Sequence, residues 1–136
     1  NVLNCVKPEC GNKIFDILLS KDFFSNLGMQ YGADEVMERL CKEHDVYIVT
    51  AYTVATCVDK VKWIRKYLPF FDIKNVVFCN DKNLINADVL IDDAPHNLES
   101  FQNTTICFDM PYNKEAKCDY RAFSWDDINN IFDNIK

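Results

Sequence analysis

The sequence predicts an α/β fold, a doubly wound parallel sheet with helices on both faces. Short apolar runs rich in β-branched residues alternate along the 136-residue chain with longer segments whose apolar residues recur at helical spacing. The run at 89–93 is apolar up to two adjacent carboxylates, which is typical of a buried parallel strand that ends at a functional edge. Strands and helices that alternate in this way imply βαβ crossovers.

Each half of the chain contributes elements to this fold. Pro69 stops the long amphipathic segment before it, and Ser124 is placed to cap the last helix, with Asp127 partly imitating the acid of a capping box. The predicted elements, in order, are a helical piece at 13–19, a helix at 33–44, a strand at 46–50, a helix at 57–68, strands at 75–79 and 89–93, a short segment at 97–101, a strand at 104–108 and a helix from 124.

Composition and charge limit the class of protein. Apolar residues make up 49% of the chain and charged residues 26%, which fits one globular domain with its own core. The formal net charge of -6 argues against a binder of nucleic acid polymers, which usually presents a basic face. No apolar run approaches the length that crosses a bilayer, and no signal-peptide pattern opens the chain, so we expect a cytoplasmic protein without a membrane partner.

The seven cysteines form an odd set without a Cys-x-x-Cys pair, and several fall inside predicted elements. We expect them to be reduced core thiols. The two histidines do not stand at metal-ligand spacing from any cysteine, so the pattern disfavours a structural zinc site.

Polar groups follow three predicted strands at the point where each strand ends. Thr50 closes the first of these strands, Lys82 follows the second, and Asp92 and Asp93 close the third. The carboxyl ends of parallel strands meet at one edge of a sheet, which would gather a hydroxyl, an ammonium and two carboxylates. This set suits a phosphoryl group held beside Mg²⁺.

Each of these residues also has an ordinary structural interpretation. Thr50 could be a simple β-former, Lys82 a solvated turn residue, and the acid pair at 92–93 a cap for the following turn. The ordered set of all three strand ends makes these separate interpretations much less attractive.

Three segments at the predicted strand ends carry a family resemblance. Residues 47–50 (Tyr-Ile-Val-Thr), 77–82 (Val-Phe-Cys-Asn-Asp-Lys) and 87–93 (Ala-Asp-Val-Leu-Ile-Asp-Asp) resemble motifs two, three and four of the haloacid dehalogenase superfamily. More narrowly, they are similar to those of the 5'(3')-deoxyribonucleotidases. Residues 23–27 and the Ser124-Trp125 pair extend the resemblance over nearly the whole chain.

The resemblance implies a domain arrangement. Residues 32–136 would form the haloacid-dehalogenase-like Rossmannoid core, and residues 1–31 a remnant of the family's small helical cap. The family carries an N-terminal Asp-x-Asp motif on its first strand, and no such motif occurs in these 136 residues. We therefore expect the first strand and part of the cap to be missing from this sequence.

The resemblance also implies roles for individual residues. Thr50 would hydrogen-bond the phosphoryl group, and Lys82 would stabilise the charge on it during transfer. Asp93 would bind Mg²⁺ directly, with support from Asp92. Phe15 would line the cap wall over the nucleoside, although packing in the cap core explains it equally well.

The function that follows is Mg²⁺-dependent hydrolysis of nucleoside monophosphates through a phosphoaspartate, with the nucleophile in an N-terminal segment not present here. The expected partner is a small nucleotide, and a homodimer remains open. An alternative is a truncated or degenerate domain that binds metal or phosphate without catalysis. An acidic receiver domain is a third reading, but the order of hydroxyl, lysine and paired acids fits it poorly.

Overall fold

The computed structural model describes residues 13–135 and confirms the predicted fold class, a mixed α/β fold with parallel strands. The side chains of residues 14 and 15 lie outside this description. The helices are α1 (Lys13–Leu18), α2 (Ala33–Glu43), α3 (Val54–Tyr67), α4 (Pro95–Ser100) and α5 (Trp125–Asn134). The strands are β1 (Ile48–Thr50), β2 (Val76–Phe78), β3 (Val89–Asp92), β4 (Thr104–Phe108) and β5 (Tyr120–Ala122).

The described residues divide into two compact units, and each is treated by itself. One unit comprises residues 13–30 and 37–80, and the other comprises residues 31–36 and 81–135. The predicted division into a cap at 1–31 and a core at 32–136 stays a prediction.

The first unit contains a β-α-β crossover. Strands β1 and β2 pair in parallel, with Thr50 opposite Phe78, and α3 connects them. A parallel pair needs such a crossover because its two strands run in the same direction. The apolar side of α3 is buried at Ile64, and the buried Leu68 and Phe71 follow in the connection to β2.

The second unit is built on three parallel strands in the order β3, β4, β5. The central strand β4 carries Ile106 and Cys107, which are completely buried, and Ile128 of α5 is equally inaccessible. Ser124 caps α5 as predicted, because its hydroxyl accepts a hydrogen bond from the backbone N–H of Asp127 at 3.1 Å.

Two elements differ from the sequence prediction. Helix α3 begins at Val54, three residues before the predicted start, because the Thr56 hydroxyl accepts a hydrogen bond from the backbone N–H of Thr53 at 3.0 Å and caps the first turn. Strand β5 was not predicted, because three residues with an exposed tyrosine and an arginine carry no strand periodicity. Its pairing with β4 is a tertiary effect.

Within residues 13–135, no helix is both long enough and apolar enough to span a membrane.

We predict that the core of the second unit depends on Leu98, which is 2% exposed on α4. Truncation to alanine should lower the free energy of unfolding by about 2–5 kcal/mol, because it removes buried methyl groups and leaves a cavity. Denaturant unfolding followed by circular dichroism measures the change.

The matched control is Leu84→Ala, the same substitution at a side chain that is 76% exposed. It should change the free energy of unfolding by no more than about 0.5 kcal/mol. Equal losses in the two variants would contradict the placement of Leu98 in the core.

Candidate functional site

The carboxylate of Asp92, the last residue of β3, is buried and accepts four hydrogen bonds. Its Oδ1 atom accepts from the backbone N–H groups of Asp93 at 2.8 Å and Ala94 at 2.9 Å. Its Oδ2 atom accepts from Lys82 Nζ at 2.6 Å and Asn97 Nδ2 at 3.0 Å. The Asp92 side chain is only 3% exposed. Both oxygens are therefore fully engaged by protein donors.

These contacts favour the ionised form of Asp92. Burial raises the pKa of Asp92, but hydrogen bonds from Lys82 and the Ala94 N–H, the positive charge of Lys82 and a hydrogen bond from Asn97 together lower that pKa below its ordinary value of 3.8. Asp92 is therefore ionised at neutral pH. Lys82 begins a 3₁₀ turn and its side chain is 23% exposed, so its ammonium is fixed by Asp92 yet reachable from solvent. An ammonium has three donors, and this ion pair uses one of them.

Asp93, the next residue, is half-buried and is contacted at two points by the segment after β4. The hydroxyl of Tyr112 donates to Asp93 Oδ2, and Asn113 Nδ2 donates to the Asp93 backbone carbonyl at 2.8 Å. Among the described residues, none donates a hydrogen bond to Asp93 Oδ1 in this structure. Asp93 thus carries a carboxylate oxygen that can take an external ligand.

A polar group also ends β1 in the first unit. The Thr50 hydroxyl accepts a hydrogen bond from Lys60 Nζ at 2.9 Å, and the same ammonium donates to the carbonyl of Ala51. Lys60 lies on α3 with its ammonium 4.7 Å from the centre of the Phe24 ring, a cation–π contact. A second cation therefore lies at a strand end, against a hydroxyl that sequence reasoning had selected.

Lys60 was missed because nothing in the sequence separates it from the other lysines of α3, such as Lys62 and Lys66. Lys60 reaches the end of β1 because of the way α3 packs in the β-α-β crossover. Helical spacing alone predicts the amphipathic face, but not which lysine meets the strand end.

The five residues predicted from the sequence have different outcomes. The structure brings Lys82, Asp92 and Asp93 together at the end of β3. Thr50 belongs to the first unit, and its approach to the other three stays a prediction. The side chain of Phe15 lies outside the described residues, so its role as a cap wall also stays a prediction.

The chemistry of these groups fits a hard divalent cation. Mg²⁺ prefers oxygen ligands and is commonly held by one or two carboxylates together with phosphate oxygens and waters. Asp93 offers such an oxygen, whereas both oxygens of Asp92 already accept hydrogen bonds. No cluster of three or more histidine, cysteine, aspartate or glutamate side chains suited to a metal occurs within residues 13–135. Among the side chains at the end of β3, Asp93 is the one whose carboxylate chemistry suits a hard cation, and any further protein ligands would come from elsewhere.

Comparison with known proteins gives one family over the full chain. Residues 1–136 match the family described as 5' nucleotidase, deoxy (pyrimidine), cytosolic type C protein. A 5'(3')-deoxyribonucleotidase of Clostridium acetobutylicum is 41% identical over 136 residues, which are 100% of this chain and 76% of that protein. The 5'(3')-deoxyribonucleotidase of Bacillus subtilis is 40% identical over 112 residues, which are 81% of this chain and 65% of that protein. The chain thus spans about two-thirds to three-quarters of the length of these curated relatives.

We predict that Asp92 makes the second unit sensitive to acid. Because its folded pKa lies below its ordinary value of 3.8, the ionised carboxylate stabilises the fold above that pH, and the contribution is lost as the pH falls through the folded pKa. Asp92→Asn should lower the free energy of unfolding at pH 7 by about 2 kcal/mol, since it removes a charged hydrogen bond to Lys82. It should also flatten the loss of stability below pH 4.

Denaturant unfolding in metal-free buffer between pH 7 and pH 2.5 measures both effects. Asp88→Asn is the matched control, the same substitution at an exposed position just before β3. It should leave the pH profile close to that of the unsubstituted protein. An Asp92→Asn profile parallel to the original would contradict the assignment.

Proposed function

The chain belongs to the 5' nucleotidase, deoxy (pyrimidine), cytosolic type C family, and from this membership we propose that the complete protein hydrolyses the phosphate ester of deoxynucleoside monophosphates. The names of the curated relatives support this substrate class. The preferred base, and the choice between 5' and 3' phosphates, are outside the proposal.

One observation carries the proposal most strongly. At the end of β3, the ammonium of Lys82 is held at 2.6 Å from a buried carboxylate, directly beside an aspartate with an available oxygen. A purely structural ion pair has no need of the second acid, and a purely structural turn has no need of the lysine. Together they supply a fixed positive charge and a metal ligand, which phosphoryl transfer requires in one place.

Thr50 is proposed to bind a phosphate at the end of β1, as the family resemblance implies, with Lys60, which donates to its hydroxyl, as the supporting cation. The Thr50 hydroxyl would donate to a phosphoryl oxygen in place of its 3.3 Å contact with the Ala51 carbonyl, and Lys60 would supply a second positive charge. Two local ammonium groups would also explain how a protein of net charge -6 accepts an anionic substrate.

Mg²⁺ is proposed as the cofactor, with Asp93 as its ligand and Asp92 as the support that fixes Lys82. When bound, the ion would neutralise negative charge on the phosphoryl oxygens. The remaining positions around it would be filled by the substrate phosphate, by water and by groups outside the described residues.

The nucleophile is proposed to be an aspartate from outside these 136 residues. Its carboxylate would form a bond to phosphorus while the bond from phosphorus to the sugar oxygen breaks, and a second acid would protonate the departing oxygen. Water would then hydrolyse the phosphoaspartate and release inorganic phosphate. During both steps Lys82 would hold the oxygens of the transferred group.

Other features of the proposal concern the surroundings of the site. Residues 1–31 would act as the helical cap, with Phe15 against the nucleoside, and residues 32–136 as the catalytic core. A cytoplasmic location, a homodimer and the absence of nucleic acid polymers or membranes as partners stay predictions.

We predict that Lys82→Ala and Asp93→Asn in the complete protein nearly abolish turnover, by at least about a thousandfold, because each removes charge stabilisation that matters most in the transition state. Release of inorganic phosphate from deoxynucleoside monophosphates measures the rate.

Lys117→Ala and Asp88→Asn are matched controls at exposed positions of the same unit and should keep full activity. Full activity in Lys82→Ala or Asp93→Asn would refute the assignment of that residue.

We further predict that Lys60→Met lowers kcat/KM by about tenfold to a hundredfold, the equivalent of one charged hydrogen bond to the phosphate. Lys66→Met is the control on the same helix, since Lys66 is exposed and contacts the ring of Tyr67. The two variants should differ clearly in steady-state kinetics. Equal kinetics would remove Lys60 from the phosphate site.

A further inference from the structure

The segment that joins β4 to β5 contacts Asp93 at two different groups. The Tyr112 hydroxyl donates to the Asp93 carboxylate, and the Asn113 side chain donates to the Asp93 backbone carbonyl at 2.8 Å. One contact bears on the direction of the carboxylate and the other on the position of the main chain. Two adjacent residues therefore act on one acid from a separate part of the sequence.

Asn113 is buried to 1% exposure, and all of its side-chain capacity is used. Its two N–H bonds go to the carbonyls of Asp93 and Phe108, each at 2.8 Å. Its oxygen accepts from the Met110 N–H at 2.9 Å and from Arg121 at 3.2 Å. An amide has two donors and two acceptor lone pairs, so every hydrogen-bonding group of the Asn113 side chain is satisfied.

The position of this amide explains its effect. The ladder between β3 and β4 ends with Asp92 opposite Cys107. Asp93 and Phe108 are the next residues on the two strands, and the Asn113 amide bridges their carbonyls. It thus ties the two strand ends together one step beyond the last residue pair of the β3–β4 ladder.

Arg121 of β5 holds this segment in place. Its Nη2 atom donates to the carbonyls of Asn113 and Ala116, each at 3.1 Å, and its Nη1 atom donates to Asp109 Oδ1 at 2.9 Å. The Arg121 side chain is 23% exposed, and its guanidinium contacts the segment at three separate residues. Tyr112 and Asn113 are therefore presented to Asp93 from a fixed support.

Tyr112 differs from Asn113 in its exposure. Tyr112 is 45% exposed and lines an open surface cleft. It donates to Asp93 nevertheless, and this contact leaves the other carboxylate oxygen for a ligand. A hydrogen bond from this half-exposed side chain to the acid that would hold the metal points to a role at the site.

We propose that Tyr112 and Asn113 are positioning residues for Asp93, which orient its carboxylate and main chain for Mg²⁺. The proposal rests on the proposed function, because it takes Asp93 as the metal ligand. Hydrogen-bonded partners of metal ligands typically change metal affinity by 10–100-fold when they are removed.

The test uses the complete protein and Mg²⁺ alone. Tyr112→Phe removes only the hydroxyl and should raise the Kd for Mg²⁺, measured by isothermal titration calorimetry, by about tenfold. The melting temperature of the metal-free protein should stay unchanged, because the side chain is half-exposed. If Tyr112 had only a structural role, its substitution would not raise the Kd for Mg²⁺ while leaving the melting temperature unchanged.

Tyr120→Phe is the matched control, since Tyr120 lies on β5 with 40% exposure and should leave the Kd unchanged. Asn113→Asp keeps the shape of the side chain but replaces its donors, and it should weaken Mg²⁺ binding together with stability. If that variant does not fold, Tyr112→Phe alone decides the question.

The outcomes distinguish a failure of this inference from a failure of the proposed function. An unchanged or lower Kd in Tyr112→Phe, with binding lost in Asp93→Asn, would overturn this inference and leave the proposed function intact. Unchanged Mg²⁺ binding in Asp93→Asn would overturn the metal assignment of the proposed function, and this inference with it.

Discussion

The buried carboxylate of Asp92 is the interaction on which the end of β3 depends. It accepts hydrogen bonds from Lys82, Asn97 and the first two backbone N–H groups after the strand. A carboxylate that is 3% exposed would be costly without Lys82, because its charge would then be neither hydrated nor paired. The Asp92 carboxylate therefore fixes the position of Lys82, the turn after β3 and the direction of the main chain at Asp93.

A similar arrangement occurs at the end of β1, in the other unit. There the Thr50 hydroxyl meets the ammonium of Lys60, which also lies over the Phe24 ring. In both places a lysine is held by a strand-end acceptor, and neither lysine is fully exposed. Held cations at the carboxyl ends of parallel strands are suited to anionic ligands, since their positions are set before a ligand arrives. This gives an acidic protein local positive charge.

The segment between β4 and β5 shows how a site can depend on residues without recognisable chemistry of their own. An asparagine, a tyrosine and an arginine carry no motif, yet Asn113 bridges two strand ends and Arg121 fixes the loop that presents it. Because parallel strands end at the same edge, the loop after one strand naturally contacts the residues that follow its neighbour. The geometry of the sheet, rather than proximity in the sequence, creates this relationship.

The sequence by itself determined the α/β class, four of the five helices, four of the five strands and the identity of Lys82, Asp92 and Asp93 as neighbours, because apolar periodicity and strand-end polarity are local properties. The family resemblance was equally readable, since its motifs lie at those same strand ends. Only the tertiary structure decided the pairing of β5, the choice of Lys60 among the lysines of α3, and the contacts of Tyr112 and Asn113 with Asp93. These depend on how α3 packs against the end of β1, on the loop between β4 and β5, and on an edge strand formed by its neighbour, and no local pattern in the sequence singles out these residues.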